Sequence, residues 1–258
     1  MNFISLRSAL LTAALALMSP ATPATATTFP GPDGFGYSGA NIAFNLRDIS
    51  ATGASVFSTF VDDTVSGPIA IGFGFSFYGT TYTNVFVGSN GFITFSAGQS
   101  HGCCNGGPLP GTADPSNMVA GWFTDLVSNS GQIRTQTIGA AGSREFIVEY
   151  INNPYFGNGN STNTFEIILR ETTNDIELQY EHTGVDGHNR SVGIENLGGT
   201  IGLQVLNDTT SLLNSQGICI STGSTTCPTA TRVPEPATLS LLGAGVFALA
   251  LARRRRRD

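Results

Sequence analysis

The chain has 258 residues, a formal net charge of −6 and no lysine. Residues 28–231 hold 5 arginines against 16 acidic residues, so this region carries a formal charge of −11. A surface this acidic repels phosphate backbones and anionic lipid, which argues against a nucleic-acid-binding protein and remains compatible with divalent cations and neutral glycans. The roughly 205 residues between the two terminal hydrophobic segments are enough for one all-β domain with a substantial core.

The N-terminus has the pattern of a secretory signal peptide. Met1 to Arg7 is short with one positive charge, and Ser8 to Met18 is an apolar run. Ala24-Thr25-Ala26 follows, with Ala24 and Ala26 at the small positions that signal peptidase requires. We expect a signal helix in residues 1–26 and its removal by signal peptidase.

Between the terminal segments the pattern is that of short strands and turns. Ile71, Phe73, Phe75 and Phe77 alternate with small residues, which predicts a strand with one buried face. The Asn90-Gly91 pair predicts a hairpin. Similar runs predict strands at Asn41–Leu46, Val85–Gly88, Phe92–Phe95, Met118–Asp125, Gln132–Ile138, Phe146–Tyr150, Phe165–Leu169, Ile176–Tyr180, Ser191–Glu195, Ile201–Leu206 and Gly217–Ile220. We therefore predict an all-β fold over residues 27–220, an antiparallel β-sandwich of about ten strands whose faces differ in polarity.

Several of these motifs occur in an order known from one extracellular family. They are Gly72–Gly79, Val85–Phe95, Ala120–Asp125 with its aromatic pair before the aspartate, and Val192–Asn196. The series resembles nidogen-type domains, which implies an extracellular β domain with matrix or adhesion roles and no enzymatic activity. The cysteine placement does not follow animal nidogens, so their partners are not carried over.

Acidic residues at predicted strand ends are candidates for a metal site. Asp62, Asp63 and Asp125, with Asp186 further along, could supply carboxylate oxygens to calcium. The sequence has no calcium-binding loop with regularly spaced acidic residues. The alternative is that these aspartates cap turns and keep the domain soluble. We expect no other cofactor.

Two short motifs resemble catalytic signatures. Gly98-Gln99-Ser100-His101-Gly102 matches a nucleophile elbow, but residues 102–117 are too rich in glycine and proline for the helix that must follow it. Gly34 to Gly39 matches G-x-G-x-x-G without a preceding strand or a following helix, so a dinucleotide site is excluded on context.

The four cysteines, Cys103, Cys104, Cys219 and Cys227, are expected to be oxidised in an exported chain. We favour the pairs 103–104 and 219–227, with cross-pairing as the rival. A soft-metal site is the alternative, with His101, Cys103 and Cys104 as donors. The oxidising compartment and the missing fourth ligand argue against such a site.

Trp122 and Tyr155 could stack on sugar rings. The position of Trp122 inside a predicted strand favours a place in the core.

The C-terminal 26 residues have three ordered parts after a Ser/Thr-rich linker at 221–232. Pro234, Glu235 and Pro236 cannot enter a helix interior, so this segment stays open to a protease. Ala237 to Ala252 predicts a transmembrane helix about 24 Å long. Five arginines follow this helix, and such a cluster indicates that its C-terminal end lies on the cytoplasmic side: Arg253, Arg254, Arg255, Arg256 and Arg257.

This tail, residues 233–258, resembles the PEP-CTERM sorting signal of Gram-negative bacteria. The resemblance implies processing by an exosortase, with an inner-membrane intermediate before release to the cell surface or extracellular matrix.

We therefore expect a structural or adhesion protein of the surface or exopolysaccharide matrix, without enzymatic activity. Its partner would be an exopolysaccharide or a matrix protein, and its contact with the inner membrane would be transient. A carbohydrate-binding module is the alternative, and a hydrolase using Ser100 is a distant third.

Overall fold

A computed structural model describes residue 29 and residues 31–128 and 131–223. This part of the chain contains thirteen β-strands and no helix, so the prediction of an all-β sandwich is confirmed. The strands are β1 (Tyr37–Ile42), β2 (Ala54–Ser55), β3 (Ile69–Phe77), β4 (Thr80–Gly88), β5 (Phe92–Thr94), β6 (Met118–Phe123), β7 (Gln132–Ile138), β8 (Glu145–Tyr155), β9 (Asn158–Arg170), β10 (Ile176–His182), β11 (Arg190–Glu195), β12 (Gly202–Asp208) and β13 (Gln216–Thr222).

The strands form two antiparallel sheets. The seven-stranded sheet has the order β1-β13-β10-β9-β8-β7-β2, and the six-stranded sheet has the order β12-β11-β6-β5-β4-β3. Their facing sides enclose one apolar core that includes Phe75, Phe165 and Ile194. Burying such side chains supplies about 1.5–3 kcal/mol each, which makes this interface the main source of stability.

Two tyrosines of the seven-stranded sheet reach across the core to backbone of the other sheet. The Tyr150 hydroxyl donates to the carbonyls of Gly88 or Phe92, at 2.8 and 2.9 Å. The Tyr180 hydroxyl donates to the carbonyl of Gly121 at 2.6 Å. Both hydroxyls are therefore satisfied although both side chains are fully buried.

A bulge in the six-stranded sheet decides which aromatic of β6 faces the core. The register of β6 against β11 shifts between Ser191 and Gly193. After this shift Trp122 lies in the main core, whereas Phe123 joins a smaller cluster with Met118. The extra residue therefore reverses the simple alternation of the strand.

The outer face of the seven-stranded sheet is covered by residues 43–53. Backbone N–H groups of this segment donate to side chains on the sheet: Arg47 to Glu166 at 3.0 Å and Ile49 to Glu149 at 3.0 Å. Asn45 donates in the same way to Gln179 at 2.9 Å. The strand predicted at 41–46 therefore ends at Ile42, because the next N–H groups bind side chains instead of a neighbouring strand.

Charges beneath and beside this segment are partly paired. Arg47 lies 3.2 Å from Glu145 and 2.9 Å from Glu177, and Arg170 contacts the same two glutamates. Burial raises the pKa of Glu149 to about 7 and that of Glu166 to about 8. The face that the sequence pattern predicted as polar is thus a buried polar layer.

Residues 96–116 cover the outer face of the six-stranded sheet in a similar way. Leu109 packs with Phe92, Met118 and Phe123, and its N–H donates to Gln204 at 2.9 Å. Farther along, the N–H of Gly111 donates to Glu195 at 2.7 Å. The central strands of each sheet are therefore buried on both faces, whereas β3 keeps one exposed face.

The described residues include no helix long and apolar enough to cross a membrane. The predicted signal peptide, the transmembrane helix at 237–252, the sorting residues and Cys227 lie outside them, as does most of the predicted linker.

Candidate functional site

One end of the sandwich gathers the acidic residues that the sequence suggested for calcium. The carboxylate oxygens of Asp62, Asp63 and Asp125 lie within 4.8 Å of one another. Asp62 and Asp63 precede β3, and Asp125 follows β6. We call this part of the molecule the acidic end.

Asn90 holds the acidic end together from the hairpin turn between β4 and β5. Its Nδ2 donates to Asp63 Oδ1 at 2.8 Å and to the carbonyl of His101 at 3.2 Å. Its Oδ1 accepts the N–H of Leu126 at 3.1 Å. This fully buried side chain therefore joins three segments, a role that the turn signal alone did not reveal.

The carboxylates at the acidic end are close enough to repel one another. Burial and the neighbouring charges of Asp63 and Asp62 raise the pKa of Asp125. Burial and Asp63 likewise raise the pKa of Asp62, whose Oδ1 is buried without a hydrogen-bond partner. Three carboxylates in this arrangement could hold a hard divalent cation such as calcium.

Asp186 is not a member of this group. Its carboxylate lies 2.7 Å from Nδ1 of His188, and it affects Asp125 only as a nearby charge.

The cysteine pair lies beside the acidic end. Cys103 and Cys104 are both exposed and are bonded to each other, with their Cα atoms 3.4 Å apart. Cys104 has a φ of 130°, a backbone conformation that residues other than glycine rarely adopt. Cys219 is buried in β13 and is also disulfide-bonded.

The nucleophile-elbow residues do not assemble into a triad. Ser100 Oγ accepts the N–H of Gly102 at 3.3 Å. The two histidines outside this motif have other partners: His182 contacts Thr162 and Glu181, and His188 contacts Asp186. Within the described residues, no hydrogen bond or ion pair joins Ser100 to a histidine or an aspartate.

The Gly34 to Gly39 string is a turn that leads into β1. The Asp33 carboxylate accepts the N–H groups of Phe35, Gly36 and Tyr37 at 2.8–3.0 Å. The residues that would cradle a dinucleotide phosphate are therefore occupied in capping the turn.

The two aromatic residues considered for sugar stacking are buried. Trp122 lies in the core, and its Nε1 donates to the hydroxyl of Tyr155 at 2.9 Å. Tyr155 in turn donates to the carbonyl of Gly184 at 2.7 Å. The stacking hypothesis is wrong for both residues, because neither ring reaches solvent.

A cleft of about 590 Å³ runs between the 96–116 segment and the six-stranded sheet. Leu109, Met118 and Phe123 give it an apolar wall, and Cys103 lies at its rim. Glu195 is 1 % exposed at its base, and burial raises the pKa of this carboxyl to about 7. The sequence offered no signal for this cleft, because it exists only where a loop lies over the sheet.

Comparison with known proteins gives two matches to family models. The model described as NIDO related matches residues 36–234, and the PEP-CTERM protein-sorting motif matches residues 232–257. Neither the curated proteins nor the solved structures gave a match. The sorting motif implies processing by an exosortase and an exported, cell-surface protein. Since the first match spans most of the chain, the protein belongs to the NIDO-related family and carries a C-terminal PEP-CTERM sorting motif.

Proposed function

We propose that this protein is a structural or adhesion component of the surface or exopolysaccharide matrix of a Gram-negative bacterium, with no enzymatic activity. Signal peptidase removes residues 1–26, and the chain then passes through an inner-membrane intermediate held by residues 237–252. Cleavage near Pro234-Glu235-Pro236 by the exosortase releases the β-sandwich.

The direction of β13 is the observation that supports this proposal best. Tyr180 pairs with Gln216 at the start of β13, on the side of the acidic end, whereas Tyr37 pairs with Thr222 at its finish. The chain therefore leaves the sandwich at the end opposite Asp62, Asp63 and Asp125. While the C-terminal segment holds the domain at the inner membrane, the acidic end would then face away from that membrane.

The acidic end also carries apolar side chains suited to contact with a partner. Phe60 is 58 % exposed and Phe156 is 57 % exposed. Their segments meet residues 125–128, since the N–H of Phe156 donates to the carbonyl of Asp125 and the N–H of Val61 donates to Ser128 Oγ. Exposed phenylalanines beside carboxylates suit contact with a matrix protein.

The carbohydrate-binding alternative has less support. The aromatic residues that would have formed its platform, Trp122 and Tyr155, are in the core. Phe60 and Phe156 lack the polar group with which tyrosine and tryptophan orient a sugar ring.

Sorting is tested by the intact mass of the surface fraction. Cleavage near the motif predicts a mature protein that lacks Ala237 to Asp258. Replacing Pro234, Glu235 and Pro236 with alanine should leave the protein in the inner membrane with its arginines attached. A parent surface product that still carries Arg253 to Arg257 would mean that the tail is only an anchor.

Matrix association is tested at the exposed phenylalanines. The double variant Phe60→Ser/Phe156→Ser should be released from isolated matrix into the soluble fraction. Leu197→Ser is the matched control, since Leu197 is 63 % exposed in the turn after β11, at the opposite end. Equal retention of both variants would contradict a role for the acidic end.

A further inference from the structure

Three metal-binding side chains, those of Asp63, Cys103 and Cys104, converge beside the acidic end with His101 next to Asp63, and the functions above do not use them together. The two sulfurs of Cys103 and Cys104 and a carboxylate oxygen of Asp63 lie within 4.8 Å of one another. His101 Nδ1 lies 3.3 Å from Asp63 Oδ1. From the sequence, the donors at 101, 103 and 104 lacked a fourth ligand, and the fold brings in Asp63 as that ligand.

The placement of this fourth donor is part of the fold. Asn90 binds both Asp63 Oδ1 and the carbonyl of His101, so one buried amide fixes the Asp63 side chain relative to the backbone of His101. The Nδ1 atom of His101 is buried and makes no hydrogen bond within the described residues, and it lies 3.3 Å from the Asp63 carboxylate.

The donor set is suited to zinc. Zn²⁺ accepts thiolate, imidazole and carboxylate in one tetrahedral site, with ligand atoms about 2.0–2.3 Å from the metal. Ligand atoms around such an ion are roughly 3–4 Å apart. In the oxidised chain the Asp63 oxygen and the two bonded sulfurs lie within 4.8 Å of one another, and the reduced sulfurs would separate to reach the spacing of zinc ligands. The carboxylate disfavours copper(I), which prefers sulfur donors.

We propose that Cys103, Cys104, Asp63 and His101 form a redox-gated zinc site, occupied when the cysteines are thiolates and closed when they are a disulfide. The dithiol is the form in which the chain is synthesised, so no reductant is needed to reach it. The zinc site is independent of the proposed adhesion function.

Closure requires an oxidant, for which a disulfide of another molecule suffices. One thiolate attacks that disulfide and forms a mixed disulfide, and the second thiolate displaces the other thiol. The S–S bond between Cys103 and Cys104 forms as the oxidant's S–S bond breaks. Two electrons pass to the oxidant, which takes up two protons as two thiols, and Zn²⁺ is released. Both cysteines are exposed, so a disulfide oxidant can reach them.

The test uses the full chain in two states, one freshly reduced and kept without oxygen, the other oxidised with a small-molecule disulfide. Co²⁺ serves as the spectroscopic substitute and Zn²⁺ as its competitor. The reduced chain should bind one Co²⁺ with sulfur-to-metal absorption, which Zn²⁺ abolishes. The oxidised chain should show no such absorption.

Variants separate this four-ligand site from adventitious thiol binding. Asp63→Asn and His101→Gln should each weaken metal binding by about tenfold or more, and Cys103→Ser should remove the sulfur signal. Asp114→Asn and His188→Gln are matched controls that should bind as the parent does, and circular dichroism checks that all variants fold. Parent-like affinity in Asp63→Asn and His101→Gln, or metal binding by the oxidised chain, would overturn the proposal.

Discussion

The carboxyl group of Glu195 accepts the N–H of Gly111 at 2.7 Å, although the two residues are 84 positions apart in the chain. This contact fixes the 96–116 segment to the sheet. A similar arrangement fixes the 43–53 segment, where Glu149 and Glu166 accept backbone N–H groups. Both covering segments thus depend on buried glutamates.

These glutamates predict that the folded domain becomes more stable as the pH falls from about 8 to about 5. Burial raises the pKa of Glu149 and Glu195 to about 7 and that of Glu166 to about 8, above the ordinary value of 4.5. In this window the folded chain binds more protons than the unfolded chain, so protonation favours folding. For Glu195 alone the effect is on the order of 3 kcal/mol. Thermal unfolding measured from pH 4 to pH 9 tests the direction.

Thermal unfolding of Glu195→Gln over the same pH range tests whether Glu195 contributes to this pH dependence. The amide keeps an acceptor for Gly111 without a titrating proton, so the variant should show a weaker pH dependence and at least parent stability at pH 8. Glu181→Gln, at a side chain that is 54 % exposed, should change neither. Below pH 4.5 stability should fall, because Arg144 lowers the pKa of Glu171 to about 2. A parent chain more stable at pH 8 than at pH 5 would contradict the prediction.

Replacing Asn90 with alanine should destabilise the domain by about 3 kcal/mol, because the variant leaves the buried N–H of Leu126 and the Asp63 carboxylate without their partner. Chemical denaturation gives the free energy of unfolding. Asn84→Ala is the control, since Asn84 is exposed and its side chain donates a hydrogen bond to its neighbour Thr83. Similar losses in both variants would show that Asn90 does not hold the acidic end together.

Gly91 and Gly157 allow steric crowding to be separated from backbone strain. Both have a positive φ, 83° and 71°. A Cβ on Gly91 would lie 2.0 Å from the carbonyl oxygen of Trp122, whereas one on Gly157 would meet no atom within 4 Å. We expect Gly91→Ala to cost about 3 kcal/mol or more and Gly157→Ala about 1–2 kcal/mol. Equal losses in denaturant unfolding would mean that the chain relieves the clash.

Removing one charge at the acidic end should raise stability in the absence of divalent cations. The pKa of Asp125 is raised by burial and by Asp63 and Asp62, so its ionised form disfavours folding at pH 7. In the presence of a chelator, Asp125→Asn should therefore gain up to about 1 kcal/mol in its free energy of unfolding, whereas Asp114→Asn should not.

The calcium prediction is tested by a second measurement: Ca²⁺ should raise the melting temperature of the parent more than that of Asp125→Asn. Equal responses to Ca²⁺ would argue against calcium at this position.

Local sequence patterns predicted the positions of the strands well, but they did not predict which strand faces are buried. The alternation in β7 predicts its bounds, Gln132–Ile138, and Asn90-Gly91 predicts the turn between β4 and β5. The two faces of the strands were expected to differ in polarity, yet Glu177 and Gln179 on the polar face of β10 are buried, at 1 % and 0 % exposure. Period-two alternation shows which residues share a face, but it does not show that a segment far away in the chain covers that face.

The candidate site was likewise predicted from the sequence only in part. Asp62, Asp63 and Asp125 were selected because each lies at a predicted strand end, and the fold brings them together. The proximity of Asp63 to Cys103 and Cys104 was not predictable, since it depends on how the 96–116 segment crosses the sheet. Tyr155 failed as a surface residue because its hydroxyl, which suggests exposure, finds buried partners in Trp122 and Gly184.

The pairing of the arginines has a consequence for survival outside the cell. Enzymes of the trypsin type cut after lysine or arginine, and residues 28–231 contain no lysine and five arginines. Arg47, Arg144 and Arg170 are held in ion pairs with glutamates, and Arg190 is fully buried over the ring of Trp122. Arg134 bonds the carbonyl of Gly53. Digestion of the folded domain by such proteases should therefore be limited by unfolding.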